Sequence, residues 1–154
     1  MQIRFATNDD LEILAQMGKE LFFESRFRNL TLNEEKGKKG IKTMIEDQAS
    51  CCVLLAETSE KKIVGMLLGY ANEYFFCDSI MAQDRYFYVQ PKSRGTSAAV
   101  KLLLAFRKWA ELRKVNELCI NMSVAIEPER FDKLMKHLGF QYCGSNFSLQ
   151  IRQY

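Results

Sequence analysis

Pro91 stands two residues past Val89, the end of a strand-forming run Asp84–Val89, and five small residues, Gly95-Thr96-Ser97-Ala98-Ala99, follow soon after. A proline cannot donate to a strand ladder, so the strand must stop there. Beyond the small residues, Ala99, Leu102, Leu103, Phe106 and Trp109 or Ala110 recur at helical spacing to about Arg113, with Lys101, Lys108 and Glu111 on the opposite face. The chain must therefore contain a strand, a tight turn and a long amphipathic helix beginning near Gly95 or Thr96. That turn sits past mid-chain. A doubly wound dinucleotide fold would carry its glycine turn after the first strand and would alternate strands and helices more strictly.

The rest of the chain supplies the partners. Residues 2–6 alternate as a strand does. Thr7-Asn8-Asp9-Asp10 offers capping side chains, and Leu11, Leu14, Met17 or Gly18, and Leu21 predict a helix up to about Glu24. Ser25–Thr31 breaks the pattern and reads as a loop. A poorer helix is predicted over Asn33–Asp47, with Ile41, Met44 and Ile45 inward; Gly37 and Gly40 each weaken it by roughly 1 kcal/mol relative to alanine. Cys51–Glu57 and Lys62–Phe76 read as an antiparallel hairpin about Thr58-Ser59-Glu60-Lys61, with a break at Cys77-Asp78-Ser79 before the strand Asp84–Val89. A strand is predicted at Glu117–Ser123. Pro128 then suits the first turn of a helix that places Phe131, Leu134, Met135 and Leu138 on one side, and Gly139 ends it. A final extended segment includes Phe140–Tyr142 and Phe147–Ile151. The order predicts one α/β domain of the mixed α+β kind over residues 1–154, a sheet with helices packed on it.

Composition narrows the chemistry. Of 154 residues, 47% are hydrophobic and 27% charged, a globular balance, and a net charge of +3 is too weak to argue for nucleic acid. The cysteine count is five, with no C-x-x-C spacing, so free thiols in a reducing compartment are expected. The N-terminus lacks the apolar core of a signal peptide, and no apolar run approaches a membrane span, so a soluble cytoplasmic protein with no membrane partner is expected. A single histidine, His137, rules out H-E-x-x-H and reads as part of an ordinary helix end; scattered cysteines speak against a zinc cluster, and no metal is expected.

The turn itself suits an anion. A helix N-terminus leaves backbone N–H groups without intrahelical partners, and their dipoles sum to a partial positive charge that favours phosphate. Close approach requires small residues. Thr96 and Ser97 add hydroxyls, and Lys92, Arg94 and Lys101 add charge nearby. These features fit a diphosphate better than one carboxylate. Read blandly, the same residues are a tight turn that lets the helix pack closely on the sheet. Neither the Walker A pattern nor G-x-G-x-x-G is present.

Arg94-Gly95-Thr96-Ser97-Ala98-Ala99 after a strand ending in valine resembles the turn [QR]-x-x-G-x-[GA] of the GNAT-type N-acetyltransferase superfamily. Ala56-Glu57 with Ile63-Val64-Gly65 is similar to that family's central hairpin, and Leu138-Gly139-Phe140 to its C-terminal element; the resemblance covers nearly the whole chain. It implies a central, mostly antiparallel sheet of about six to seven strands, flanked by about four helices and splayed between the fourth and fifth strands. It implies an acetyl-CoA-dependent N-acetyltransferase acting on a primary amine of a small molecule or peptide, and a homodimer. Coenzyme A would be held by Arg94, Gly95, Thr96, Ser97, Ala98 and Ala99 at its pyrophosphate and by the backbone of Phe87, Tyr88 and Val89 along its pantetheine. The acetyl group would lie in the splay.

Two departures qualify that picture. Ser97 replaces the motif's central glycine. Met135 stands where many relatives carry a tyrosine that protonates the leaving thiolate, and a thioether cannot donate a proton. Tyr142, Tyr88 or water remain as donors. Asp84 is the first candidate for general base, with Asp78, Glu73 and Glu24 as others. The acceptor pocket is expected from Glu24 and Phe27 on the first loop and from Glu73 and Tyr74 beside Phe75 and Phe76. Met135 also favours an alternative, a non-catalytic coenzyme A-binding or regulatory protein that keeps the fold. An RNA-binding reading has charge in Arg107, Lys108, Arg113 and Lys114 but no stacking motif.

Overall fold

The computed structural model describes residues 1–122 and 124–151. Its elements run β1 (Gln2–Phe5), α1 (Leu11–Glu24), α2 (Glu34–Glu46), β2 (Cys51–Glu57), β3 (Ile63–Tyr74), β4 (Cys77–Val89), α3 (Ala98–Leu112), β5 (Glu117–Cys119) and α4 (Pro128–His137). Single turns of 3-10 helix at Asn8–Asp10 and Pro91–Ser93 precede α1 and α3. One five-stranded sheet takes them in the order β1-β2-β3-β4-β5. The first four strands are antiparallel neighbours, and β5 joins β4 in parallel.

Both faces of this sheet are covered, which explains the unbroken apolar runs of β2 and β3. Successive side chains of a strand point to opposite faces. Leu54, Leu67, Ala82 and Val89 meet Leu102, Leu103 and Phe106 of α3 on one face. Leu55, Met66, Leu68 and Tyr88 meet Leu14, Met17 and Leu21 of α1 and Ile41, Met44 and Ile45 of α2 on the other. Side-chain bonds pin the helix starts, the first of them at the capping residues read from the sequence. The Thr7 N–H donates to Asp10 Oδ2 at 2.8 Å, and Asn33 Oδ1 accepts the Lys36 N–H at 2.9 Å. Arg4 ties β1 to both the start of α1 and β2, donating to Asp10 at 2.7 and 2.8 Å and to Glu57 at 2.8 Å. Those bonds hold the Asp10 carboxyl down at about 2.

Three expectations are corrected. The break at Cys77–Ser79 is strand; the hairpin turns two residues earlier, on Phe75 and Phe76, whose rings both stand in solvent. Residues 141–151 form neither helix nor strand, so the sheet has five strands among the described residues, short of the six or seven expected. The alternation of Phe147, Leu149 and Ile151 is there, but all three are exposed: a period of two needs a face to bury against. The strand expected at Glu117–Ser123 ends at Cys119, and Ser123 lies outside the described residues.

The register of β3 on β4 slips at one place that matters. Leu68 faces Tyr86 while Gly69 faces Asp84, so Arg85 is the extra residue of a bulge. A bulge shifts the alternation by one. Ala82 and Asp84 before it, and Phe87 and Val89 after it, therefore share the α3 face. Gly69 is required there for a separate reason. A Cβ at Gly69 would sit 2.3 Å from Cε2 of the fully buried Phe106.

Gly69→Ala should therefore destabilise the fold by about 1–3 kcal/mol through overpacking. Gly18→Ala, on α1 with open space around the added Cβ, should stabilise it by up to about 1 kcal/mol. Urea unfolding midpoints of the two variants should move in opposite directions, and a Gly69→Ala midpoint equal to wild type would contradict the packing described.

Candidate functional site

Strand β5 is fastened to β4 at its start and released at its end. The Asn116 N–H donates to Ile80 O and the Ile80 N–H to Asn116 Oδ1, both at 2.8 Å. The pairs Met81–Glu117, Ala82–Leu118 and Gln83–Cys119 follow, and there the ladder ends. From Asp84 to Val89, β4 continues with no strand beside it on that side among the described residues. The chain beyond β5 turns out of the sheet. Its Asn121 N–H donates to the Asp84 side chain, at 2.7 Å to Oδ1, instead of to the backbone of β4.

A cavity of about 280 Å³ lies beyond this parting. Phe87, Tyr88 and Val89 form one wall, and Met122, Val124 and Ile126 face them. Phe131 and Leu134 of α4 close the side, and Arg94, Gly95, Thr96, Ala99 and Val100 form the end against α3. The cavity is mostly apolar, with its polar groups gathered at the α3 end.

That end is built by the turn. The Gln90 N–H donates to Val64 O at 2.9 Å, carrying β4 to its last residue, and Pro91–Ser93 then turns the chain. Gly95 has φ +89°, the left-handed region that favours glycine. Thr96 Oγ1 donates to Ser93 O at 2.7 Å and accepts the Ala98 N–H at 3.3 Å. The Lys101 N–H reaches Ser97 O at 3.0 Å, so regular helical bonding begins there; Gly95, Thr96, Ala99 and Val100 line the cavity's end, whereas Ser97 and the buried Ala98 do not. Ser97 sits at φ −72°, ψ 0°, where any residue fits, so the serine in place of the motif's glycine costs no backbone strain.

Cations frame this turn, one of them unforeseen. Nη2 of Arg130, on the first turn of α4, lies 3.2 Å from where a Cβ on Gly95 would be. Arg94 lines the cavity, but its guanidinium is committed elsewhere. Nη1 and Nη2 donate to the two oxygens of Glu24 at 2.5 and 2.7 Å, and Nε donates to Val89 O at 2.9 Å. This bidentate pair lashes the end of α1 to the end of β4, helped by Gln90 Nε2 donating to Glu20 at 3.1 Å. Arg94 holds the Glu24 carboxyl below the usual carboxylate range. Burial, with the charges of Glu24 and Glu20, pushes the Tyr88 phenol up to about 12. Lys101 donates to Met1 O at 2.8 Å, and Lys92 is exposed.

The other sequence candidates fall into two groups. Glu24 and Phe27 do not line the cavity but stand beside it, Glu24 behind Arg94 and Phe27 on the loop after α1. The Arg26 N–H donates to Val124 O at 3.2 Å, tying their loop to that wall residue, and the Arg26 guanidinium lies 4.2 Å over the Phe27 ring. Glu73 and Tyr74 do not come to it. They lie at the Cys77 end of the β3–β4 hairpin, about 40 Å of strand from Val89, where Tyr74 hydrogen-bonds Glu117 and stacks on Phe76. Tyr142 lies in the exposed 141–151 segment, hydrogen-bonded with Ser145, and does not line the cavity. Met135 is buried in the α3-side core; Arg130, Phe131 and Leu134 are the α4 residues that face the cavity.

Asp84 marks the point where the strands part. It is 7% exposed, and that burial pushes its carboxyl up to about 6 against the opposing donations from Asn121. Sequence reasoning missed Val100, Met122, Val124, Ile126, Glu127 and Arg130, and read Phe131 and Leu134 only as the inner side of a helix. Ala125 and Glu127 adopt positive φ, 57° and 44°, so no regular period runs through that wall. Among the described residues no group of histidine, cysteine and carboxylate side chains could hold a metal, and no helix is long and apolar enough to cross a membrane.

No protein-family model matches the sequence, and no curated protein matches it. Solved structures do. The aminoglycoside 6'-N-acetyltransferase AAC(6')-IG of Acinetobacter haemolyticus is 17% identical, with all of each chain covered and a TM-score of 0.74. AAC(6')-Iy, solved in complex with the bisubstrate analogue CoA-S-monomethyl-acetylneamine, is 17% identical over 99% of this chain and 98% of its own, with a TM-score of 0.73. A transcriptional regulator of Bacillus halodurans C-125 is 20% identical over 97% and 99%, with a TM-score of 0.78. At these identities the likeness is one of fold: the chain is folded as the GNAT-type N-acetyltransferases are.

The raised Asp84 carboxyl has a thermodynamic sign. An unfolded aspartate titrates near 4, so the folded protein binds the extra proton between about pH 4 and 6 and loses stability as pH rises through that window. Asp84→Asn should melt at a higher temperature than wild type at pH 7.5, and the gap should close below about pH 4. A gap that persists unchanged at low pH would show that the carboxyl is not the cause.

Proposed function

We propose that the protein is an acetyl-CoA-dependent N-acetyltransferase whose acceptor is the primary amine of a small molecule or peptide. The observation that carries this reading is the joining of two features in one cavity. The turn at Gly95–Ser97 and the start of α3 at Ala98 and Ala99 present amides to an anion. The uncovered edge of β4 at Phe87–Val89 offers backbone groups to an extended ligand, as a sheet edge does to an added strand. A diphosphate attached to an amide-bearing chain matches both, in that order. Arg130 over Gly95 supplies the cation for the diphosphate. Arg94 acts through its grip on Glu24 and Val89, by setting the turn. The parting of β4 from β5 is read as the family's splay, with the thioester lying toward Asp84.

The chemistry follows from these placements. The amine attacks the thioester carbonyl, and its new C–N bond forms as the carbonyl oxygen takes negative charge. A β4 amide near Tyr88 or Val89 stabilises that oxyanion. The C–S bond then breaks. With its carboxyl near 6, Asp84 is ionised at neutral pH and still basic enough to take the amine's proton, directly or through water. On the cavity face of α4, Phe131 and Leu134 offer no proton, so the thiolate takes one from water. Tyr142 has no part in this reading.

One observation favours a second reading, a coenzyme A-binding protein without turnover. The helix α4 position expected to carry a proton donor is Met135, and it is buried in the core.

Calorimetry with coenzyme A should show one site per chain. Gly95→Val, which puts a branched side chain at φ +89° against Arg130, should abolish the heat. Arg130→Ala should weaken binding roughly tenfold, the loss of one charge-assisted contact. Absence of both heat and thermal stabilisation at millimolar coenzyme A sinks the proposal. Tight binding with no thiol released from acetyl-CoA across polyamines, amino sugars and peptides would select the second reading.

A further inference from the structure

Asp84 occupies a position that general-base chemistry does not by itself require. It is the first residue of β4 past the last ladder pair, Gln83–Cys119. Its buried carboxylate accepts the Asn121 N–H at 2.7 Å, with the Asn121 Nδ2 farther off at 3.5 Å. In a parallel pair the backbone of one strand takes the N–H groups of the next at even spacing. Here a side chain takes one instead, and the chain leaves the sheet at that residue. Asn121 runs directly into Met122, Val124 and Ile126, the wall that faces Phe87–Val89 across the cavity. Fixing Asn121 therefore fixes where that wall begins.

Two features keep the carboxylate in place. The bulge at Arg85 puts Asp84 on the α3 face, with Phe87 and Val89. Across from it, Gly69 has no side chain, and the Phe106 ring fills the room above that glycine. Glutamate would be one methylene too long for this slot, and leucine would match its shape without an acceptor. We infer that Asp84 is a strut: by taking the Asn121 N–H it stops β5 from pairing further along β4 and holds the cavity open for its ligand. The ligand part of this statement rests on the coenzyme A reading above. Asp84 is thus a positioning residue for the far wall, whatever it does to the amine's proton.

Three chains separate the roles: wild type, Asp84→Asn and Asp84→Leu, with Asp84→Ser in reserve should the leucine variant fail to fold. The readouts are calorimetry with coenzyme A, turnover with acetyl-CoA, and amide NMR. In wild type the Asn121 amide proton, donated to a carboxylate, should resonate well downfield. Asp84→Asn still presents an oxygen to Asn121. It should keep a hydrogen-bonded Asn121 amide and a coenzyme A affinity within about threefold of wild type, while kcat falls because an amide is no base. Asp84→Leu, or Asp84→Ser, should lose the Asn121 shift, draw the Met122–Ile126 amides toward β4 in their cross-peaks, and bind coenzyme A more than about tenfold weaker. A leucine or serine variant that binds coenzyme A as tightly as wild type overturns the strut. So does an asparagine variant that loses affinity as fully as leucine does. Should wild type not bind coenzyme A, the functional reading fails by itself. The strut then stands or falls on the Asn121 shift and the Phe87–Val89 to Met122–Ile126 cross-peaks in the three chains.

Discussion

Buried backbone groups must find partners, and a strand edge left uncovered inside a protein needs a reason. The edge of β4 from Asp84 to Val89 is such a case. Before it, Met81–Gln83 pair with β5; within it, Phe87–Val89 line a cavity. Everything at the site is arranged around that interruption. The bulge at Arg85 turns Asp84 to the α3 face. The Asp84 carboxylate takes a partner's N–H, and the wall beyond Asn121 is held away from the strand. The groups left over are what an extended, amide-bearing ligand would use.

The turn at the other end is held with equal care. Arg94 carries the motif's cationic position but spends its guanidinium on Glu24 and the Val89 carbonyl. That joins α1, the end of β4 and the approach to α3 into one unit. Gly95 can then adopt its left-handed conformation under Arg130 without support from a side chain of its own. The positive charge for an anion comes from a helix far along the chain, whereas the neighbouring arginine builds the frame. The acidic residues Glu20, Glu24 and Glu127 are drawn to the same end by these cations.

Much of the fold was legible because it follows local rules. Prolines at 91 and 128, the capping side chains of Thr7–Asp10, and the helix-period stripe of α3 each mark an element end or face with its own physics. What escaped was non-local. The hairpin turned on Phe75 and Phe76, where aromatic residues hid the turn from composition. Glu73 and Tyr74 read as neighbours of the site, yet antiparallel pairing carries them to the far end of β3. Arg130 shows no sign in sequence of its place over Gly95, since nothing local couples the start of one helix to the start of another. Met122, Val124 and Ile126 carry no period to read, with positive φ at Ala125 and Glu127 and Asp84's hold on Asn121 setting the chain around them.

The central claim is that one cavity binds coenzyme A with its diphosphate on the Gly95–Ala99 amides and its pantetheine along Phe87–Val89. Amide-resolved NMR during a coenzyme A titration tests it most directly. The account predicts saturable shifts concentrated at Gly95–Ala99, Arg130, Phe87–Val89 and the Met122–Ile126 wall, with the hairpin tip at Phe75 and Phe76 silent. Saturable shifts centred on any other surface, with Gly95–Ala99 unmoved, would contradict it.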